Sequence, residues 1–385
     1  MNVPKLRFKE FNDEWKEKKL SDISLEISYG MNSASKEFDG ENKYIRITDI
    51  DETTSKYLNK DIVSPDGNLE DKYIVRKNDI LFARTGASTG KTYLYNSNDG
   101  KLYYAGFLIK ASIINHNANF IFQQTKTGKY NNWVKIMSMR SGQPGINSQE
   151  YGNYKFSITT LKEENKISNF LSLLDKKIEL QSKKIEDLKL FKLELKERLF
   201  KIFETKQTEL EDIIIKWNKK NKDNKYSYVE SISNKYGFIA QNEQFEDRNV
   251  ASNDTKNYYV IEKGVFAYNP SRLNVGSLAL KDNDKVSLVS PLYECFTTNQ
   301  NNNFLYEWFN SKEFKKGTVS KFEGGVRNTL NFNNLCKIKI SLPSLENQNK
   351  ISNILNLYNN LIDLENQKLN KLIELKKGLM QNMFV

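Results

Sequence analysis

The chain has 385 residues, 38% of them hydrophobic and 12% aromatic, with 59 lysines and arginines against 48 aspartates and glutamates, a formal net charge of +11. That length supports two or three domains with cores of their own, and the composition excludes a disordered chain. No apolar run approaches the ~20 residues of a membrane span, and the opening MNVPKLRFKEFNDEW lacks the apolar centre of a signal peptide, so a cytosolic protein is expected.

From the N-terminus, runs of β-branched and aromatic residues predict strands at 44–48, 79–84, 107–114 and 154–158, a short helix at 119–126 and a loop at 96–100. Charge is divided along this stretch. Residues 1–71 carry 11 basic and 16 acidic side chains, and residues 72–155 carry 12 basic and 3 acidic. A cationic face that neutralises phosphate accounts for such a division; a general lysine-rich solubility is the alternative. A long helix follows over 161–204, then a loop at 218–225, strands at 258–261 and 337–342, a helix at 302–311, and a second long helix over 345–385.

The second half repeats the first at an offset of 184. Residues 157–200 and 341–384 are identical at sixteen of 44 positions, including the unbroken pentapeptide NKISN at 165–169 and 349–353. Upstream, 145–161 aligns with 329–345, and NDILFARTGAS (78–88) matches KGVFAYNPSRL (263–273) in pattern. The fold class is therefore α+β: two mixed globular halves, 1–160 and 205–344, separated by two long helices, 161–204 and 345–385.

Both helices carry a heptad seam, Ile167, Leu171, Leu174, Ile178, Gln181, Ile185, Leu188, Lys192, Leu195, Leu199 in the first and Ile351, Leu355, Tyr358, Ile362, Glu365, Leu369, Leu372, Lys376, Leu379, Met383 in the second. A parallel pairing stacks Lys192 on Lys376. An antiparallel one puts Lys192 in the layer of Glu365 and Gln181 in that of Lys376, with Leu174 opposite Met383. An antiparallel coiled coil about 60 Å long is predicted. A second apolar stripe, Phe170, Leu173 and Leu180 on the first helix and Ile354, Leu357, Leu361 and Leu364 on the second, implies a further partner or a cover from the chain's own globular halves.

Catalytic chemistry finds little support. The one histidine, His116, has no ligand or triad partner near it in sequence and is expected at the surface. Cys295 and Cys336 lack CxxC spacing and are expected as small apolar residues. TGASTGKT (85–92) has three residues between Gly86 and Gly90 where a Walker A loop needs four. What remains is a glycine-rich basic loop, either an ordinary turn or one whose backbone N–H groups and Lys91 meet DNA phosphate, with Thr85 and Ser88 as further DNA-binding candidates. PDGNLEDK (65–72) holds Asp66 and Glu70 too close together for a nuclease hairpin, and no methyltransferase tetrapeptide is present. No metal site is expected.

Binding chemistry is better represented. RSGQPGIN offers Arg140, Gln143 and Asn147; at the matching place KFEGGVRN offers Lys321, Arg327 and Asn328; NPSRLN offers Asn269, Arg272 and Asn274 opposite Arg84 and Ser88. Arginine suits guanine edges and asparagine or glutamine suits adenine edges, with phosphate contact or plain exposure as the alternative for each.

Several motifs together carry a family resemblance: PKLRF (4–8) and Glu14–Trp15, KKLSDI (18–23), DILFARTGASTGKTYLY (79–95), SGQPGIN (141–147) and SLPSLENQNKI (341–351). On these the chain resembles the specificity subunits of Type I restriction-modification systems, over essentially its whole length. The resemblance implies two target-recognition domains, each reading half of a bipartite, asymmetric double-stranded DNA site, with the helices as a spacer. It implies two modification subunits docked on the helices and restriction subunits beyond them. It places S-adenosylmethionine, ATP and magnesium in those partners, with no cofactor and no catalysis in this chain. A stand-alone nuclease or methyltransferase, a regulatory DNA binder and a purely structural coiled-coil protein are the competing classes.

Overall fold

The computed structural model describes residues 3–139, 143–234, 237–240, 254–273, 276–319, 321 and 329–384. The chain forms two compact units, one of residues 1–183 with 366–385 and the other of residues 184–365, so each holds a globular half and part of both long helices. No helix among the described residues is long and apolar enough to cross a membrane.

The first unit contains β1 (Lys16–Lys19), β2 (Ser24–Tyr29), β3 (Ala34–Glu37), β4 (Lys43–Ile45), β5 (Val63–Asp66), β6 (Asp79–Ala83), β7 (Thr92–Leu94), β8 (Leu102–Tyr104), β9 (Leu108–Ile113), α1 (Ala118–Gln124), α2 (Gly128–Met137), α3 (Ser148–Asn153) and β10 (Lys155–Ile158). Its main sheet has the order β2-β9-β6-β7 and is antiparallel throughout. β6 is fully buried because its alternate residues serve two cores. Ile80 and Phe82 join Trp15, Phe120, Tyr151 and Ile167 on one face, while Leu81 and Ala83 join Ile45, Tyr93 and Tyr104 on the other. β1 pairs with β10, β3 with β5, and β4 runs parallel to β8.

The long helices are α4 (Leu161–Ile202) and, after the second globular half, α8 (Leu345–Met383). Between them lie β11 (Thr205–Glu209), β12 (Ile214–Lys216), β13 (Glu230–Ser233), β14 (Gly237–Ala240), β15 (Tyr259–Ile261), β16 (Phe266–Tyr268), β17 (Leu278–Leu280), β18 (Ser287–Val289), β19 (Glu294–Thr298), α5 (Asn302–Phe309), α6 (Lys312–Val319), α7 (Phe332–Cys336) and β20 (Lys339–Pro343). The sheet order β12-β19-β16-β17 repeats that of the first unit, and β11–β20 repeats β1–β10. Even the two-faced central strand recurs, with Phe266 and Tyr268 in one core and Ala267 in the other.

The helices are antiparallel, as their polar seam positions require. In the first unit Ile167 and Leu171 share a core with Met380 and Met383. In the second, Leu199 shares one with Ile351 and Leu355. The register differs from the predicted one by about a heptad. Lys376 meets Asp175 at 2.5 Å rather than sharing a layer with Gln181, and Glu365 meets Lys184 at 3.0 Å rather than Lys192. Lys192 instead reaches Glu307 on α5 and Asn359 on α8, both at 2.6 Å. The seam charges thus find partners outside the seam, which removes the constraint used to set the register. Glu307 also takes Lys196 at 3.3 Å. Burial pushes its carboxyl up, but the hydrogen bonds and charges of both lysines outweigh that and hold it below the ordinary value.

Two other expectations change. His116 is not a surface residue: its Nδ1 lies 2.8 Å from Glu164 Oε1, which is fully buried at the start of α4. The charge division along the sequence does not persist in space. Lys91 pairs with Glu52, Lys101 with Glu41, Lys110 with Glu26, and Lys129 and Lys155 with Glu17. Five lysines of 72–155 thus fold onto acids of 1–71, and a single cationic face does not follow from the division along the sequence. Cys295 is buried in an apolar core, where burial pushes its thiol up, and Cys336 is partly buried; both are free.

Candidate nucleic-acid interface

In the first unit the chain leaves β6 at Ala83 and enters the loop Arg84–Lys91, which the segment 143–147 closes from the other side. Ile146 N donates to Arg84 O (2.9 Å), Gly86 N donates to Pro144 O (2.9 Å), and Thr85 bridges Gly145. The two motifs read separately in the sequence are therefore one surface. The Arg84 guanidinium sits 4.8 Å from the centre of the Tyr29 ring and donates weakly to Gly106 O. Such stacking orients a guanidinium while leaving edge donors for a ligand. Ser148 N donates to the Tyr29 hydroxyl at 3.0 Å. Burial works against ionisation of that hydroxyl, but Ser148 and the Arg84 charge outweigh it and hold it below its ordinary value.

The glycine loop is less available for phosphate than its sequence suggests. The amides of Gly86, Thr89, Gly90 and Lys91 all donate to carbonyls of the fold, and the Lys91 ammonium faces Glu52 at 3.6 Å. Gly90 has φ +89° and packs on Val134, so here glycine answers a backbone and packing demand. Ser88 ends the short turn Gly86–Ser88, and Gln143 is exposed close to Gly86.

Asn147 has a structural duty. Its side chain accepts from Glu150 N while Glu150 accepts from Asn147 N, a capping box at the start of α3. Asn331, at the same place in the repeat, caps α7 by accepting from Asn334 N. Asparagine serves caps and adenine edges with the same amide, so sequence alone does not separate the two uses.

The second unit builds its counterpart on Asn269–Leu273. Asn269 Oδ1 accepts from Ser271 N, Arg272 N donates to Asn269 O, and Leu273 is buried beneath. Arg272 is exposed. Leu330 N donates to Pro270 O at 3.0 Å, the counterpart of the Ile146–Arg84 bond. Lys321 O accepts from Asn334 Nδ2, which ties that residue to α7. Arg140, Asn274, Arg327 and Asn328 lie outside the described residues.

Of the second helical stripe, Phe170 is partly covered by its own unit, edge-on to Phe8 at 5.9 Å. Leu173 and Leu180 in the first unit, and Ile354, Leu357, Leu361 and Leu364 in the second, are exposed, Leu173 and Leu357 each at 68%. Among the described residues no group of three or more His, Cys, Asp or Glu is placed to hold a metal.

A family model described as the Type I restriction modification DNA specificity domain matches the chain twice, over residues 12–190 and 199–374. Among solved structures it is similar to the S subunit of the Type I restriction-modification system from M. genitalium, with 16% identity and a TM-score of 0.58, over 100% of this chain and 99% of that one. It is also similar to a chain in a structure concerned with complex assembly and conformational transition of the type I R-M system, with 15% identity and a TM-score of 0.58, over 96% of this chain and 97% of that one. At these identities the likeness is one of fold.

Proposed function

The chain belongs to the Type I restriction modification DNA specificity family, and from that premise we propose that it reads a bipartite, asymmetric DNA site, one half-site per unit, and positions partner subunits without doing chemistry itself. The observation that carries this is a duplicated scaffold bearing different loops. Both units present a loop at the end of the central strand, fastened by the same backbone hydrogen bond, Ile146 to Arg84 and Leu330 to Pro270. The side chains displayed differ: Arg84, Thr85, Ser88 and Gln143 in one, Asn269 and Arg272 in the other. Equivalent platforms with unlike polar residues suit two unlike short sequences on one duplex. Unlike halves in one chain need no palindrome.

The exposed leucines and Ile354 on α4 and α8 are the surface on which two modification subunits dock. S-adenosylmethionine belongs to those subunits, and ATP and magnesium to the restriction subunits. The deciding experiment maps N6-methyladenine in cells that express this chain with its modification subunit. The expected result is a two-part, non-palindromic motif that disappears without this chain. Exchange of residues 206–340 for those of another family member is expected to change one half of the motif only. A motif unaffected by loss of the chain overturns the proposal.

A further inference from the structure

Two tight turns hold a large apolar side chain in solvent at the same place in the repeat. Between β8 and β9, Leu108 N donates to Ala105 O at 2.8 Å, and the third residue of that turn, Phe107, is 58% exposed. Between β18 and β19, Tyr293 N donates to Ser290 O at 3.1 Å, and the third residue, Leu292, is 77% exposed. Turn interiors draw on Gly, Asn, Asp and Ser, which satisfy the backbone and remain hydrated. A phenylalanine and a leucine there add nothing to either core. The strand pairing sets each turn beside the loop already described. Ala83 pairs with Leu108, and Arg84 N donates to Phe107 O at 3.0 Å. Tyr268 pairs with Glu294, so the turn of Leu292 lies at the end of β16 from which Asn269–Leu273 departs. In the first unit Arg84, whose backbone N–H bonds the carbonyl of the apolar tip, also carries the guanidinium that stacks on the Tyr29 ring.

We propose that Phe107 and Leu292 are base-contacting residues, each pressing its side chain against the apolar surface of bases in its own half-site. In the major groove that surface is the thymine methyl group. The proposal rests on the DNA-reading function above and adds residues that carry no hydrogen-bonding group. Phosphate selects donors and cations, so an apolar tip at this place points to the base and not to the backbone. The two tips differ in size and shape, as contacts to different half-sites require.

The test uses the full chain with its modification subunit, as wild type, Phe107→Ala, Leu292→Ala and the conservative Phe107→Leu. Methylated motifs are mapped, and binding to the wild-type site is measured across a salt series. Phe107→Ala is expected to relax one half-site and Leu292→Ala the other, with affinity for the wild-type site lowered about 10-fold or more, the usual effect of one lost base contact. The salt slope is expected to stay unchanged because no phosphate contact is lost. Phe107→Leu is expected to keep most of the first half-site's selectivity. Unchanged motifs and affinity in both alanine variants overturn the inference while leaving the DNA-reading function standing. So does loss of the modification subunit with DNA selectivity intact, which assigns the tips to a protein contact. A wild-type complex with no two-part motif overturns both.

Discussion

The joint between the globular half and the long helix is built twice on one plan and supported in two different chemistries. In the first unit Asn117, the N-cap of α1, gives its amide to Asn165 at 2.6 Å and its backbone N–H to Glu164 at 2.9 Å. In the second, Asn301, the N-cap of α5, gives its amide to Asn349 at 2.6 Å and its backbone N–H to Gln348 at 3.1 Å. Around these shared bonds the first unit uses charge. Arg7 grips Glu163 with two bonds of 2.8 Å, Thr159 donates to the same carboxylate, and His116 faces Glu164. The second unit uses amides, with Gln348 donating to Gln300 and Pro343 O, both at 2.9 Å. The geometry of the joint is common to the two units; the penalty for damaging it is not.

The largest difference is expected where the two chemistries diverge most. Removing one member of a buried ion pair strands the other, which costs about 3–5 kcal/mol. Glu163 is fully buried but Arg7 only partly, and Arg7 keeps Asp13 O as an acceptor, so Glu163→Ala is expected to cost toward the lower end of that range, about 3 kcal/mol. At the corresponding position of the second unit stands Asn347, half-buried and away from any ion pair described here, where alanine is expected to cost no more than about 0.5 kcal/mol. Hydrogen exchange followed by mass spectrometry resolves the opening of the two units separately and so suits a chain that is not two-state. Equal, small losses for both variants would sink the view that charge holds the first joint.

Next comes a pair of glycines, each two residues ahead of an equivalent strand. Gly90, ahead of β7, has φ +89° and would press an added methyl group against both methyls of Val134, with Cγ2 2.9 Å away. Gly276, ahead of β17, has φ +92° and opens into space. Alanine pays the left-handed conformation at both, about 1–2 kcal/mol, and overpacking at Gly90 alone, about 1–3 kcal/mol more. Gly90→Ala is therefore expected to destabilise its unit more than Gly276→Ala does. Combining Gly90→Ala with Val134→Ala recovers the difference as a coupling in a double-mutant cycle. Absence of coupling would place the difference elsewhere.

Much of this was legible in the sequence, and the rest has identifiable causes. The pentapeptide NKISN marks the repeat because three of its positions are used alike in both units. Asn165 and Asn349 bind the caps, Ile167 and Ile351 enter the cores, and Ser168 and Ser352 are buried. Strands such as 79–84, predicted from a short apolar run, are present as β6 because length and turn signals bounded them. The helix direction was legible for the same reason, since like charges at matching seam positions exclude the parallel pairing. The register was not, because Lys192 is satisfied by Glu307, a residue 115 positions away that no helical pattern includes. The cationic stretch misled because pairing between distant segments, antiparallel at β2–β9 and β1–β10 and parallel at β4–β8, brings acids from the start of the chain onto it. Of the residues at the proposed DNA interface, Arg84 and Arg272 were picked out as candidates by residue type, whereas Phe107 lay inside a predicted strand and Tyr29 had no signal of its own.

The smallest effect is expected where the two joints agree. Asn117→Ala and Asn301→Ala each delete an N-cap, the bonds to Phe120 N and Phe304 N respectively, together with one amide link to a long helix. Cap loss costs about 1 kcal/mol, and an exposed amide link adds a fraction of that. The two variants are expected to match within about 0.5 kcal/mol when each unit's opening is followed by hydrogen exchange. Pairing each with Asn165→Ala or Asn349→Ala should give equal couplings, since the links are the same length and both are exposed. Equality here beside inequality at Glu163 and Asn347 assigns the divergence of the units to the residues around the joint and not to the joint itself. A mismatch of 1 kcal/mol or more between the two asparagines makes the shared hydrogen bonds a geometric coincidence, and the duplication a matter of topology alone.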